Sequence, residues 1–346
     1  MAGTSIWEDS SLQDDSTDYT DRAFGANMFG ERDRSPSVDR WRKPDWCGDK
    51  LQQCDWHVDY RVRSMFSSST AYEFGTPEYQ PDPFAPISRL EFALNSTWHG
   101  LRIEAEKPRW RIGFEWLTPM HADIGGVMAD YDWDNSGPPS NSLQLESLTH
   151  SALRWNEGQM LELEAAFQWT DSLLGRSVRF WPVLGFRFQR FDMTAYSLNS
   201  LVPPDGPDPS LDGVDVIHFK QQYYMGYFGG EFSTTTRLTR RIPLALTFRG
   251  DLGPTAAYNV DHHLLREGER YTKEKTHGLA WHVRLGLETP LAGRFAAGLQ
   301  ADYLAIHTTG THRWVNEPFG IDMQWRNGVV VSSQQVSLTA YLRANF

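Results

Sequence analysis

A chain of 346 residues with a net charge of −11 is a poor partner for nucleic acid, whose phosphates repel it, and a better one for a cationic substrate. No apolar run reaches the roughly 18 residues that a membrane-spanning helix needs. Yet 14 Trp, 19 Phe and 13 Tyr make the chain unusually aromatic, a mix that suits a transmembrane β-barrel, whose polar lumen dilutes its lipid-facing residues.

Residues 1–56 come first and carry no sustained period. They are rich in Asp, Ser and Arg and read as an acidic, disordered extension. Cys47 and Cys54 close this segment in CGDKLQQC. Two thiols are too few for a structural zinc site, so a short disulfide loop in an oxidising compartment is the simpler expectation.

From residue 57 to 346 the signal is two-residue alternation, the strand period. In RWRIGFEW, Trp110, Ile112, Phe114 and Trp116 oppose Arg111, Gly113 and Glu115. In LELEAAFQW, Leu161, Leu163, Ala165 and Phe167 oppose Glu162 and Glu164. WHVRLGLE, RFAAGLQADY and the terminal QQVSLTAYLRANF repeat the pattern. Charges on the inner face of a water-soluble sandwich would each cost several kcal/mol unless paired. The arrangement fits a barrel turned the other way, with lipid outside and a polar lumen in which Glu162, Glu164 and Asp302 meet Arg111, Arg187 and Arg284.

The pattern predicts an all-β fold, a ten-stranded antiparallel transmembrane β-barrel. Its strands centre near residues 66, 95, 113, 160, 184, 224, 247, 281, 302 and 338. Short turns at EAEKP, TDSLLGRS, TRLTRR and TPLAGR alternate with long links near residues 74–88, 120–145, 197–214, 258–270 and 312–328. Barrels of this kind keep short turns on the periplasmic side and long loops outside. The chain is therefore expected in the bacterial outer membrane, as a monomer.

Two long links carry acids in pairs. GGVMADYDWDNSG places Asp130 and Asp132 two apart in the second outer loop, so an extended backbone points both the same way. NVDHH places Asp261 and His263 two apart in the fourth. Ten tilted strands give a barrel about 20 Å across, narrow enough for the two loops to bracket one water. Asp261 would orient His263 as a general base, and the opposing aspartates would hold the water and stabilise the tetrahedral species. Taken alone, DYDWDNSG reads more simply as a solvated loop or a loose calcium site.

VMADYDW and NVDHH on a ten-stranded barrel resemble the omptin family of outer-membrane proteases, and HFKQQYYMGYFGGEF resembles that family's sixth strand. The resemblance spans residues 57–346. It implies an endopeptidase that cleaves external polypeptides near basic residues, with the site facing the exterior. Asp130 and Asp132 would form its aspartate couple, and Asp261 and His263 its Asp–His dyad. Glu73 would be the acid that selects a basic side chain, and Asn259 stands where many members carry a further acid, a departure that weakens that selection. The resemblance implies no metal and no cofactor. It does imply lipopolysaccharide, bound on the outer wall and needed for activity, with Lys220 and Arg270 as candidate contacts. Two other readings stay open. One is a non-enzymatic barrel, a porin, adhesin or binding protein. The other is a lipid hydrolase using Ser151 after His150.

Overall fold

The computed structural model describes residues 55–75, 87–133, 145–173, 177–203, 206–207, 209–237, 242–268 and 270–346. The acidic segment ahead of Asp55, with Cys47 and Cys54, lies outside them. Ten strands follow one another. They are β1 (Asp55–Phe74), β2 (Ser88–Ala93 and Thr97–Lys107), β3 (Trp110–Pro119 and Asp123–Trp133), β4 (Leu145–Phe167) and β5 (Val178–Val202). The remainder are β6 (Asp215–Arg237), β7 (Pro243–His263), β8 (Arg270–Pro290), β9 (Phe295–Asn316) and β10 (Ile321–Asn345). The first strand starts two residues before the boundary expected at residue 57.

Each strand pairs antiparallel with the next, and β1 returns to β10 from His57↔Asn345 to Phe74↔Val329, so the sheet closes on itself. Closure removes every free edge, the condition for a sheet to stand in lipid. Ile112, Phe114, Leu163, Leu184, Leu279 and Leu285 are exposed on the outer wall, and they belong to a belt of large apolar side chains. Among the described residues no helix is long and apolar enough to cross a membrane. The barrel crosses with its strands, as outer-membrane proteins do.

The strands run well past the belt at the end with the long connections. On the outer face of β8, Trp281 and Leu279 give way to His277, Lys275 and Lys273, all exposed. Asp130, Asp132, Asp261 and His263 sit on these extensions, at the ends of β3 and β7, and not in loops as the turn-forming residues around them suggested. The ladder continues because alternation continues. Asp261 pairs in register with Thr272 of β8 and Phe219 of β6, and Asp130 with Leu90 of β2 and Thr149 of β4.

Three strands change phase on the way up. In β4 the inward set passes from Glu164, Glu162 and Met160 to Trp155, Leu153 and Ser151 across a bulge between Trp155 and Glu157. Inward residues of lower β1 are odd-numbered (Asp59, Arg61, Met65), whereas above a bulge between Phe66 and Ser69 they are even (Thr70, Tyr72). Ser67 at the bulge has a positive φ of 48°. Lower β3 likewise turns Glu115 and Leu117 inward, and upper β3 turns Ile124, Met128 and Asp130 inward. The change falls where the strand is interrupted between Pro119 and Asp123; the irregularity between Ile124 and Val127, where Gly126 takes φ of 105° and a Cβ would meet Ala93 at 2.7 Å, adds two residues and keeps the phase. A bulge of one residue, such as that of β1, moves every later side chain to the other face. In β7 the odd residues face inward from Arg249 through His263 without interruption.

Three layers fill the lumen. At the short-turn end a network of ions spans the bore. Arg187 meets Glu162 at 3.1 Å and Asp251 at 2.6 Å, Arg249 meets Glu164 at 2.5 Å, and Arg284 meets Asp302 at 2.7 Å. Arg61 and Glu115 form another buried pair. The network extends the expected pairings, with Arg111 reaching Glu164 at 3.5 Å and Glu231 at 3.0 Å. Above it lies an apolar layer that includes Trp98, Trp155, Phe191, Phe92 and Phe219, with the last two rings stacked 4.0 Å apart. The polar mouth comes third.

Candidate active site

The apolar layer is the floor of the mouth. Tyr72 rises from it, its ring stacked on Phe219 at 6.0 Å, and its hydroxyl donates to Asp261 Oδ2 at 2.6 Å. His263 Nε2 approaches the same oxygen at 2.8 Å. Two donors on one carboxylate oxygen fix both the carboxylate and the ring, and with Nε2–H committed to Asp261 the basic nitrogen is Nδ1. Asp261 is fully buried and Oδ1 has no partner among the described residues. Burial alone would raise its pKa. The charge and hydrogen bond of His263, helped by Tyr72, hold it below the usual carboxylate value instead.

The aspartate couple stands on the other side. Asp130 is pushed up to about 7, first by burial and then by the charge of Asp132, with His263 and Arg266 pulling the other way. Asp130 thus lies within electrostatic reach of both members of the Asp261–His263 pair. Its Oδ1 is buried and has no partner among the described residues. Near neutrality the couple carries a proton that can be donated, while the dyad offers a base. A pair of groups driven apart in this way is the usual basis for dividing acid and base roles.

The structure brings four of the six expected residues together and separates the other two from the roles foreseen for them. Glu73 faces away from Tyr72, its neighbour on β1, and pairs with Arg89 at 3.4 Å, which also holds Glu91 at 3.0 Å. Continuing the odd-inward phase of lower β1 would have turned Glu73 inward; the bulge at Phe66–Ser69 turns Tyr72 inward instead. Asn259 does face inward below Asp261, but it is buried, and neither side-chain polar atom has a partner among the described residues. Ser151 is buried as well, and no hydrogen bond joins its hydroxyl to another described residue.

Sequence reasoning missed Tyr72, Glu274 and His312. Glu274 lies in register with Asn259, and His312 Nδ1 approaches Glu274 Oε1 at 2.9 Å. The inward parity of β8, already legible in WHVRLGLE, leads through Thr276 to Glu274 and could have found it.

No family model matches the sequence, and no curated protein matches it. The structure is similar to the crystal structure of the outer membrane protease OmpT from Escherichia coli, with a TM-score of 0.69 at 17% identity, covering 88% of this chain and 100% of that one. It also matches the translocator domain of the autotransporter NalP from Neisseria meningitidis, with a TM-score of 0.31 at 7% identity over 82% of this chain and 87% of that one. The likeness to OmpT is one of fold, a ten-stranded barrel carried through the whole of the neighbour.

Proposed function

We propose that the protein is an outer-membrane endopeptidase whose long-strand end faces the cell exterior. The observation that carries this reading is the meeting of two dissimilar acid pairs at one mouth, Asp130 with Asp132 and Asp261 with His263. A water between them loses a proton to His263 Nδ1 as its oxygen attacks a peptide carbonyl. Protonated Asp130 donates a hydrogen bond to the developing oxyanion, and Asp132 orients the water. Collapse of the tetrahedral species breaks the C–N bond, and His263 returns its proton to the leaving amine. No side-chain nucleophile enters the reaction.

The acidic mouth, with Asp130, Asp132, Asp261 and Glu274, favours cleavage near basic residues. Selection by a dedicated acid is less well supported, because Glu73 points elsewhere and Asn259 is neutral. On the outer wall, Lys220 is exposed near Asp192 at 3.3 Å and Arg190 pairs with Glu157 at 2.8 Å, a polar cluster of the kind that suits a lipopolysaccharide phosphate. Arg270 lies over the Trp314 ring at 4.7 Å, which makes it a weaker candidate. The pore reading is disfavoured by the filled lumen, whose ionic layer leaves a cavity of about 40 Å³, room for a water or so.

The test is cleavage of a peptide library containing Arg and Lys pairs by refolded protein with lipopolysaccharide, beside His263→Ala. Cleavage that disappears in the variant supports the site. A folded wild-type protein that cleaves nothing returns the chain to a binding role.

A further inference from the structure

At the short-turn end the outer wall is hollowed where β3, β4 and β5 meet. A groove of about 480 Å³ is lined there by Trp110, Ile112, Ala165, Phe167, Pro182 and Leu184. Two residues make it. Ala165 stands in register between Ile112 of β3 and Leu184 of β5, with Leu163 and Phe167 next to it on its own face, so one methyl is ringed by large side chains. Pro182 is the second. Phe180 donates its N–H to the Thr170 carbonyl at 3.1 Å and accepts from the Trp169 N–H at 3.0 Å, so both of its backbone groups point to β4. Two residues on, Pro182 is turned the same way and has no N–H to give. The β4–β5 ladder accordingly stops at Ala166↔Val183 and resumes only at the Thr170–Phe180 bridge.

The rim of this groove is basic. The β2–β3 turn carries Lys107, whose Nζ lies over the Trp110 ring at 5.3 Å, and the exposed Arg109. The Arg109 carbonyl accepts from the Gln168 N–H at 2.9 Å, which ties the turn to the foot of β4. Neither cation makes an ion pair among the described residues, whereas Arg111, turned into the lumen, meets Glu231 at 3.0 Å. The acids of the two turns look elsewhere. Glu106 faces His57 at 3.7 Å, and Asp171 accepts from Gln168 Nε2 at 3.3 Å. Trp110 and the largely exposed Trp169 stand where indoles meet lipid headgroups. An apolar groove inside the belt with two unpaired cations at its periplasmic edge matches the acyl chain and the phosphate of one lipid. We propose that this face holds an anionic glycerophospholipid of the inner leaflet, with one acyl chain over Ala165 and its phosphate at Lys107 and Arg109. Lipopolysaccharide offers the same phosphate chemistry but occupies the opposite leaflet, at the end where the strands run past the belt. The lipid site presupposes the barrel's orientation in the membrane and is independent of peptidase activity.

The experiment gives refolded full-length protein in detergent micelles dioleoyl phosphatidylglycerol, dioleoyl phosphatidylcholine or lipid A, and reads the retained lipid by native mass spectrometry. Wild-type protein is expected to keep one phosphatidylglycerol about tenfold more tightly than phosphatidylcholine. Lys107→Gln combined with Arg109→Gln should abolish that preference. Ala165→Phe, which fills the groove, should weaken retention of both phospholipids several-fold. Folding of each variant is checked by its heat-dependent gel mobility, and the turn variant carries the test if Ala165→Phe does not fold. Equal retention of the two phospholipids by wild type overturns the site, as does a preference that survives in the turn variant. Retention unmoved in folded Ala165→Phe, or lipid A held more tightly than phosphatidylglycerol, also overturns it. Wild-type protein that cleaves no peptide ends the peptidase reading and leaves this result standing.

Discussion

The lower lumen and the mouth both bury carboxylates, yet they treat them in opposite ways. In the lower lumen each acid is met by guanidinium. Glu162 alone is approached by Arg187, Arg249 and Arg284, and it also accepts a hydrogen bond from Tyr227 at 2.8 Å. Gly185 makes room for that ring, since a Cβ there would lie 2.2 Å from the Tyr227 hydroxyl. At the mouth the partners are imidazole and phenol, and Asp130, Asp261 and Glu274 each keep one buried oxygen unpartnered among the described residues. Guanidinium stays charged at any ordinary pH and locks its acid in the ionised form, whereas imidazole exchanges protons near neutrality. Charges saturated by arginine support a wall. Charges left partly open beside a histidine are available for chemistry.

That contrast can be broken by exchange. The largest effect is expected from Asp261→Asn or His263→Ala, which should reduce peptide cleavage by about 10²–10⁴-fold while heat- and urea-resistance of the barrel stay near wild type. Arg249→Leu should do the reverse. It removes one guanidinium partner each from Glu162, Glu164 and Asp251, which keep others, and should cost roughly 3 kcal/mol of stability in urea unfolding, with cleavage per folded molecule preserved. A lumen variant that abolished cleavage without loss of fold would contradict the division between wall and mouth.

A smaller effect separates the two aspartates. Asp130 holds its proton in the folded barrel up to about pH 7 and releases it near pH 4 when unfolded. Between those values the folded state binds the extra proton, so that part of the stability is lost as pH rises towards 7 and is fully present at the acid end. Asp130→Asn should remove this slope from pH-dependent unfolding. In cleavage it should also remove an inflection near pH 7, because the donor form of Asp130 disappears as it ionises. The smallest effect is expected at Glu73. As a half-exposed partner of Arg89, its replacement by Gln should change stability by at most about 1 kcal/mol and should leave the cleavage preference of a peptide library unaltered. A marked change in preference would place Glu73 in the cleft after all.

Much of this molecule was legible in its residues. Alternation in RWRIGFEW, LELEAAFQW and WHVRLGLE identified ten strands, their lipid-facing and lumen-facing sides, and some of the arginine–carboxylate partners, because a closed wall between lipid and a polar bore admits only a period of two. The spacing of Asp130 with Asp132 and of Asp261 with His263 likewise marked pairs on one face, since strand geometry is local. Which face was a different matter. In β7 the parity runs unbroken, so Asp261 and His263 could be placed by counting from Arg249. In β1 a bulge at Ser67 reverses it, turning Tyr72 inward and Glu73 outward, and in β3 the interruption between Pro119 and Asp123 does the same, turning Asp130 inward. Only tertiary structure decided those reversals, along with the register that sets Asn259 beside Glu274 and Glu274 beside His312. Period is a property of one strand. Phase and register belong to the closed sheet, because they depend on where the partner strands' hydrogen-bonding groups stand.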